Sequence, residues 1–236
     1  MIGKDFIFID IPKTGTTSIY NYLENHNKYD TGPRHTHVPL QSYIDIYGDE
    51  AVKSRYVFTV LRNPFDRMVS VWKYYTKLVT HYREIDPDTP TTKECPHRAA
   101  VLRYLEHADN FDKFVNDVCN YNPPENLRQL AAYNRNFPYM DMCLKSMFNM
   151  LKPGAFGQEG YVDYFIKYKD YDAGWAHVCE QMNWEHEELP KSNVSLDQKP
   201  WREWYTTEQL ERLKTSSLLK PDIQLYRYRT GTSKLI

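Results

Sequence analysis

The stretch FIFIDIPKTGTTS, Phe6 to Ser18, constrains the fold more than any other part of the chain. Residues 5–11 are dominated by β-branched and aromatic side chains, the composition of a strand buried on both faces. The apolar run stops at Pro12-Lys13 and passes into Thr and Gly. A helix is then expected over 16–25, with Ile19, Tyr22 and Leu23 on one face. A strand that ends in Gly and hydroxyl residues ahead of a helix offers backbone N–H groups and a positive dipole end to an anion. Thr14, Thr16, Thr17 and Ser18 add hydroxyls, and Lys13 adds a charge. The loop of nucleoside triphosphatases needs GxxxxGK followed by Ser or Thr. Here Lys13 precedes Gly15 and no earlier glycine stands at the right distance, which argues against an ordinary ATPase or kinase loop. The bland reading is a Thr or Ser cap on a structural helix.

The pattern then repeats. A second strand is expected over 55–61 and runs straight into Arg62-Asn63-Pro64-Phe65-Asp66-Arg67. Asn63 suits a helix N-cap, Pro64 the first helical position, and Asp66 the capping carboxylate. Phe65, Met68, Val69, Trp72, Tyr75 and Val79 continue at helical spacing. Two strand–loop–helix units argue for an α/β fold with a mainly parallel central sheet flanked by helices. Further on, helices are expected near 98–118 and 125–150, a strand over 161–168 and a helix over 172–183. Thr206 and Gln209 form a capping-box pattern that opens a helix over 207–218. Residues 26–42, 83–97 and 190–201 read as loops. No repeat or linker divides the chain, so one domain over 1–236 is expected.

Arg62, at the end of the second strand, and Ser70, about two turns into the next helix, could grip a phosphate together, the guanidinium by its fork of donors. Taken alone, the segment is better read as Arg62 paired with Asp66 and Ser70 as a surface residue. The loop also carries Arg34-His35-Thr36-His37-Val38. A loop histidine can serve as a general base near neutral pH. A bare His-x-His is otherwise an exposed pair or an incidental metal site, and no further ligands are identifiable.

The net charge of −1 provides no global basic field for nucleic acid or an anionic membrane, so any anion site must be local. The N-terminal apolar run is too short, and too interrupted by Asp10, for a secretory signal or a membrane span. Cys95, Cys119, Cys143 and Cys179 form no CxxC pair, which fits reduced thiols and leaves a disulfide open as the alternative. The expectation is a soluble, cytoplasmic protein with no nucleic-acid partner and no membrane span.

Together, Pro12–Ser18 and Arg62–Tyr74 (RNPFDRMVSVWKY) resemble the two donor motifs of the PAPS-dependent sulfotransferases, PAPS being 3'-phosphoadenosine 5'-phosphosulfate. The resemblance runs in order from about 5 to 228 and is loose between about 83 and 160. It implies a P-loop-like, three-layer sulfotransferase fold. It also implies that Lys13, Thr14, Gly15, Thr16, Thr17 and Ser18 hold the 5'-phosphosulfate, and that Arg62 and Ser70 hold the 3'-phosphate. His35-Thr36-His37-Val38 is similar to the His-x-His-Val segment of the uronosyl 2-O-sulfotransferases. That similarity implies His37 as base, His35 in support, and a carbohydrate hydroxyl as acceptor. Asn193, Ser195 and Lys199 match a loop that closes over the donor, although Asn193-Val194-Ser195 also fits a glycosylation acceptor. The strand Tyr164–Tyr168 resembles an aromatic-basic strand of the family, but Lys169 and Asp170 depart from its acidic follow-on. The product would be 3',5'-ADP, and the scheme requires no metal. Two other readings stay open: a small-molecule or nucleotide kinase with a degenerate loop, and a non-catalytic nucleotide-binding module.

Overall fold

The computed structural model describes residues 1–29, 37–85, 110–120, 143–156, 161–190 and 199–231. Backbone packing divides the chain into two compact units. The first comprises 1–63, 147–196 and 224–235; the second comprises 64–146, 197–223 and 236.

In the first unit, β1 (Phe6–Ile9), β2 (Tyr56–Leu61) and β3 (Tyr164–Lys167) form a parallel sheet in the order β1-β2-β3. Phe8 stands beside Phe58, and Thr59 beside Phe165. The Thr59 hydroxyl adds a bond across the sheet, donating to the Ile9 carbonyl at 2.7 Å. All four residues of β1 are buried, as expected of a strand covered on both faces. The expected strands at 5–11, 55–61 and 161–168 are present in somewhat shorter form.

Helix α1 (Thr16–Asn25) buries Ile19, Tyr22 and Leu23, the apolar face read from the sequence. Phe6, Phe8 and Phe58 join them with Ile166 of β3, and the Phe8 and Phe58 rings stack at 5.0 Å. α2 (Leu40–Tyr47), α3 (Asp49–Lys53) and α6 (Met147–Leu151) also belong to this unit. α7 (Tyr171–Met182) covers β3 and contributes Trp175, Val178 and Cys179 to the same core. Its Gly174 permits the close approach, since a Cβ there would stand 2.7 Å from Ile166 Cγ2. Burial pushes the Cys179 thiol up to about 11.

The second unit is built on α4 (Pro64–Ile85), which begins at the proline expected to open it. Phe65 stacks on Trp201 at 5.4 Å, and the Tyr205 hydroxyl donates to the Phe65 carbonyl at 2.8 Å. Trp72 meets both Phe111 and Trp204 edge-on or tilted, at 5.2 and 5.0 Å. α5 (Phe111–Asn120) and α8 (Thr207–Thr215) pack together, with Gln209 donating to Asp112 and Arg212 to Asn116. The Thr206–Gln209 capping box is formed, each side chain bonded to the other residue's backbone N–H.

Arg67 is fully buried in this unit. It donates to the carbonyls of Cys143 and Lys145 and faces Asp222 at 3.5 Å. Asp222 also accepts from the Ser146 hydroxyl. The second arginine of the RNPFDR run is therefore an internal tie. Asp222 comes from α9 (Leu219–Thr230), whose residues divide between the two units.

The structure differs from expectation at two helix starts, since residues 40–42 were expected in a loop and no helix was expected over 219–230. Pro39 occupies the N-cap of α2, and Pro221 lies in the first turn of α9, where its missing N–H has no helical partner to lose. Most of the expected helices at 98–118 and 125–150 lies outside the described residues, which retain α5 and α6. Cys119, Cys143 and Cys179 are free thiols, and Cys95 lies outside the described residues.

Candidate active site

The chain leaves β1 at Asp10 and turns through Ile11–Gly15 into α1. Two residues of this loop adopt left-handed backbone, Lys13 at φ 64° and Gly15 at φ 86°. Such alternation curls a loop so that successive N–H groups converge. Gly15 is the N-cap of α1 and has no side chain to bond the first-turn N–H groups. The amides of Thr16, Thr17 and Ser18 thus open a helix that lacks a side-chain cap, the arrangement suited to an anion.

Three of the four loop hydroxyls are engaged elsewhere, Thr16 with the Asp10 carboxylate. Thr14 donates to the Ile11 carbonyl at 2.9 Å, and Ser18 donates to the Pro190 carbonyl. Thr14 and Ser18 are buried, Thr17 is exposed, and Lys13 is half-buried. The donors best suited to an anion are therefore main-chain amides with Lys13 and Thr17, more than the hydroxyl cluster suggested by the sequence.

An aromatic and basic clasp holds the loop from the β2 and β3 ends. The Arg62 guanidinium donates to the Lys13 carbonyl at 3.1 Å and lies 4.4 Å over the Tyr168 ring. The Tyr171 hydroxyl donates to the Gly15 carbonyl at 2.7 Å. A Cβ on Gly15 would meet Tyr168 Cε2 at 2.8 Å, so position 15 needs glycine for space as well as for its backbone angle. Tyr168 and Tyr171 were not among the expected site residues. The signal available was the aromatic run Tyr164–Tyr171, which composition alone cannot distinguish from core.

His37 comes back to this strand end from the loop before α2. Its Nδ1 lies 3.2 Å from Asp10 Oδ2 and 3.1 Å from the Asp10 carbonyl oxygen. The His37 backbone is left-handed, at φ 60°. Asp10 is 5% exposed. Burial pushes its carboxyl up, but the charge and hydrogen bond of His37, with the Thr16 hydroxyl, outweigh burial and hold it below the usual carboxylate range. Asp10 read only as an interruption in an apolar strand, and nothing in the local pattern joined it to a residue 27 positions away.

Lys13, the rest of the 13–18 loop, Arg62 and His37 thus all belong to the first unit. Ser70 is a half-buried residue of α4 in the second unit. Lys199 is exposed in that unit, its ammonium 4.8 Å over the Trp204 ring, which Lys73 also approaches at 5.0 Å. His35, Asn193 and Ser195 lie outside the described residues. Among the described residues, no group of three or more His, Cys, Asp or Glu is placed to hold a metal ion, and no helix is long and apolar enough to cross a membrane.

Comparison with known proteins gives one finding. Residues 3–229 match the profile described as the Sulfotransferase family. No curated protein and no solved structure matched. Nothing in the match supports a kinase or a non-catalytic module. The match covers nearly all of the chain, including the anion loop, the Arg62 segment and His37. On that basis the chain belongs to the sulfotransferase family, whose chemistry is sulfuryl transfer.

Proposed function

We propose that the protein transfers the sulfuryl group of PAPS to a hydroxyl, most fittingly of a carbohydrate, within a single P-loop-like sulfotransferase domain. The observation that carries this reading is the convergence at one strand end. The uncapped helix start, Lys13 and the His37 ring all attach to the residues that follow β1. The chemistry of these groups fits the donor: amides and a cation suit an anion, and an imidazole suits an acceptor proton.

The donor supplies a sulfuryl group joined through oxygen to a 5'-phosphate, a bond already activated for transfer. The amides of Thr16, Thr17 and Ser18, with Gly15 leaving room, would hold the 5'-phosphate end. Lys13 would meet negative charge that grows on the bridging oxygen. His37 would take the proton of the acceptor hydroxyl as its oxygen bonds to sulfur. The sulfur–oxygen bond to the 5'-phosphate breaks, and its electron pair leaves on 3',5'-ADP. Every atom is then accounted for without a further reactant. Sulfuryl transfer resembles phosphoryl transfer, in which positioning and charge stabilisation do most of the work.

Arg62 and Ser70 are assigned to the 3'-phosphate, with Lys199, Asn193 and Ser195 as further donor contacts and His35 as an acceptor-side residue. Arg62 has a second part here, because its bond to the Lys13 carbonyl ties donor binding to loop shape. The carbohydrate assignment rests on the His-x-His-Val segment. A titration with 3',5'-ADP tests the donor site. Arg62→Ala should weaken binding by about 10- to 100-fold, consistent with loss of a charge-assisted bond to phosphate. A wild-type protein that fails to bind 3',5'-ADP would remove PAPS from the account.

A further inference from the structure

We propose that Asp10 is the positioning residue for His37: it fixes the imidazole with its proton on Nδ1, so that Nε2 carries the lone pair that receives the acceptor's proton. The inference deepens the sulfotransferase reading and rests on it for the reaction, though not for the state of the ring.

Two oxygens converge on one ring nitrogen. Asp10 Oδ2 and the Asp10 carbonyl oxygen lie 3.2 and 3.1 Å from Nδ1. A carbonyl oxygen only accepts, and so does an ionised carboxylate. A lone pair on Nδ1 would face lone pairs on both oxygens, so the proton belongs on Nδ1. The carboxylate is ionised at neutral pH, since its surroundings hold it below the ordinary range. A neutral imidazole held this way has Nε2 as its basic nitrogen. When Nε2 gains a proton, the carboxylate already stands beside the cation that forms.

The backbone at this contact is strained. His37 has a Cβ yet sits at φ 60°, a conformation that costs about 1–2 kcal/mol for an L-residue. Asp10 is 5% exposed, and among the described residues its Oδ1 has no well-formed hydrogen bond. The charge and hydrogen bond of His37, with the Thr16 hydroxyl, offset the cost of burying this carboxylate, so the site is built for its ionised form. The position also makes sense for chemistry. Asp10 directly follows β1 and stands three residues ahead of Lys13, so one residue ties the base to the donor loop.

The direct test is long-range 1H–15N correlation of the His37 ring, assigned by its disappearance in His37→Gln. Above the titration of the imidazole, the wild type should show a protonated Nδ1 and an unprotonated Nε2. In Asp10→Asn the amide can donate to Nδ1, and the ring should shift toward the Nε2-protonated form. With PAPS and a uronic-acid-containing oligosaccharide, Asp10→Asn should lower kcat by about 10²- to 10⁴-fold, the usual range for a general base. KM for PAPS should stay within about twofold, because donor binding is not the step affected. In a His37→Ala background, Asp10→Asn should change kcat no further. The wild-type spectrum decides the tautomer even if Asp10→Asn folds poorly. A wild-type ring protonated on Nε2, or an Asp10→Asn enzyme with wild-type kcat, overturns the inference. A wild type that shows the expected ring but transfers no sulfuryl group would instead sink the functional reading.

Discussion

Gly15 carries the most constraint of any single residue in the loop. It combines a left-handed backbone with a tyrosine ring in the space a side chain would need. Gly15→Ala should therefore cost about 1–3 kcal/mol in stability and loosen 3',5'-ADP binding with it, since the strain falls on the anion loop itself. Denaturant unfolding and titration check both; a stable alanine variant with normal binding would show the loop tolerates another shape. Asp10 makes a prediction in pH. Its carboxyl pKa is lowered on folding, so the ionised form stabilises the fold above the ordinary carboxylate value of 3.8. That contribution fades as pH falls from there through the lowered value. Asp10→Asn should flatten this part of the acid unfolding curve, and an unchanged curve would contradict the pairing. The turn at Gly15 was legible because the loop motif is local. Asp10 was not, because its partner is distant in the chain and its own neighbours look like core strand.

Elements differ in what holds them, and magnitudes separate the cases. The capping box on α8 satisfies two N–H groups at an exposed helix start, so Thr206→Ala should cost about 1 kcal/mol. Arg67 on α4 is fully buried, and removing it leaves Asp222 as a buried charge with its main partner gone. Arg67→Ala should therefore cost about 3–5 kcal/mol, several times the effect at Thr206. Urea unfolding of both variants checks the ranking; equal effects would mean that Arg67 is less committed than its contacts imply. Strands and long amphipathic helices were legible because their burial writes a strong periodic pattern. α2 was missed because Pro39 announces a break, while helix starts tolerate proline. The clasp of Tyr168 and Tyr171 was hidden for a related reason. Aromatic residues at the end of a strand look alike whether they fill a core or hold a loop.

For the whole molecule, the sequence order of the motifs conveyed more than any one of them. A lysine ahead of its glycine argues weakly by itself; the same loop followed by Arg62, with His37 between them, supports the proposal of a donor with two anionic ends. The family match over residues 3–229 is consistent with that order. The acceptor was not legible, since specificity depends on side chains gathered from distant segments and not on a local pattern. The most direct test of the account is turnover with sulfur-labelled PAPS and a panel of hydroxyl acceptors that includes uronic-acid oligosaccharides. The account predicts equal release of 3',5'-ADP and sulfated product, dependent on both substrates. Lys13→Ala should reduce that release by about 10²- to 10³-fold, as expected for loss of a charge that stabilises the transition state. Binding of 3',5'-ADP without release from PAPS, or turnover only with ATP and magnesium, would contradict it.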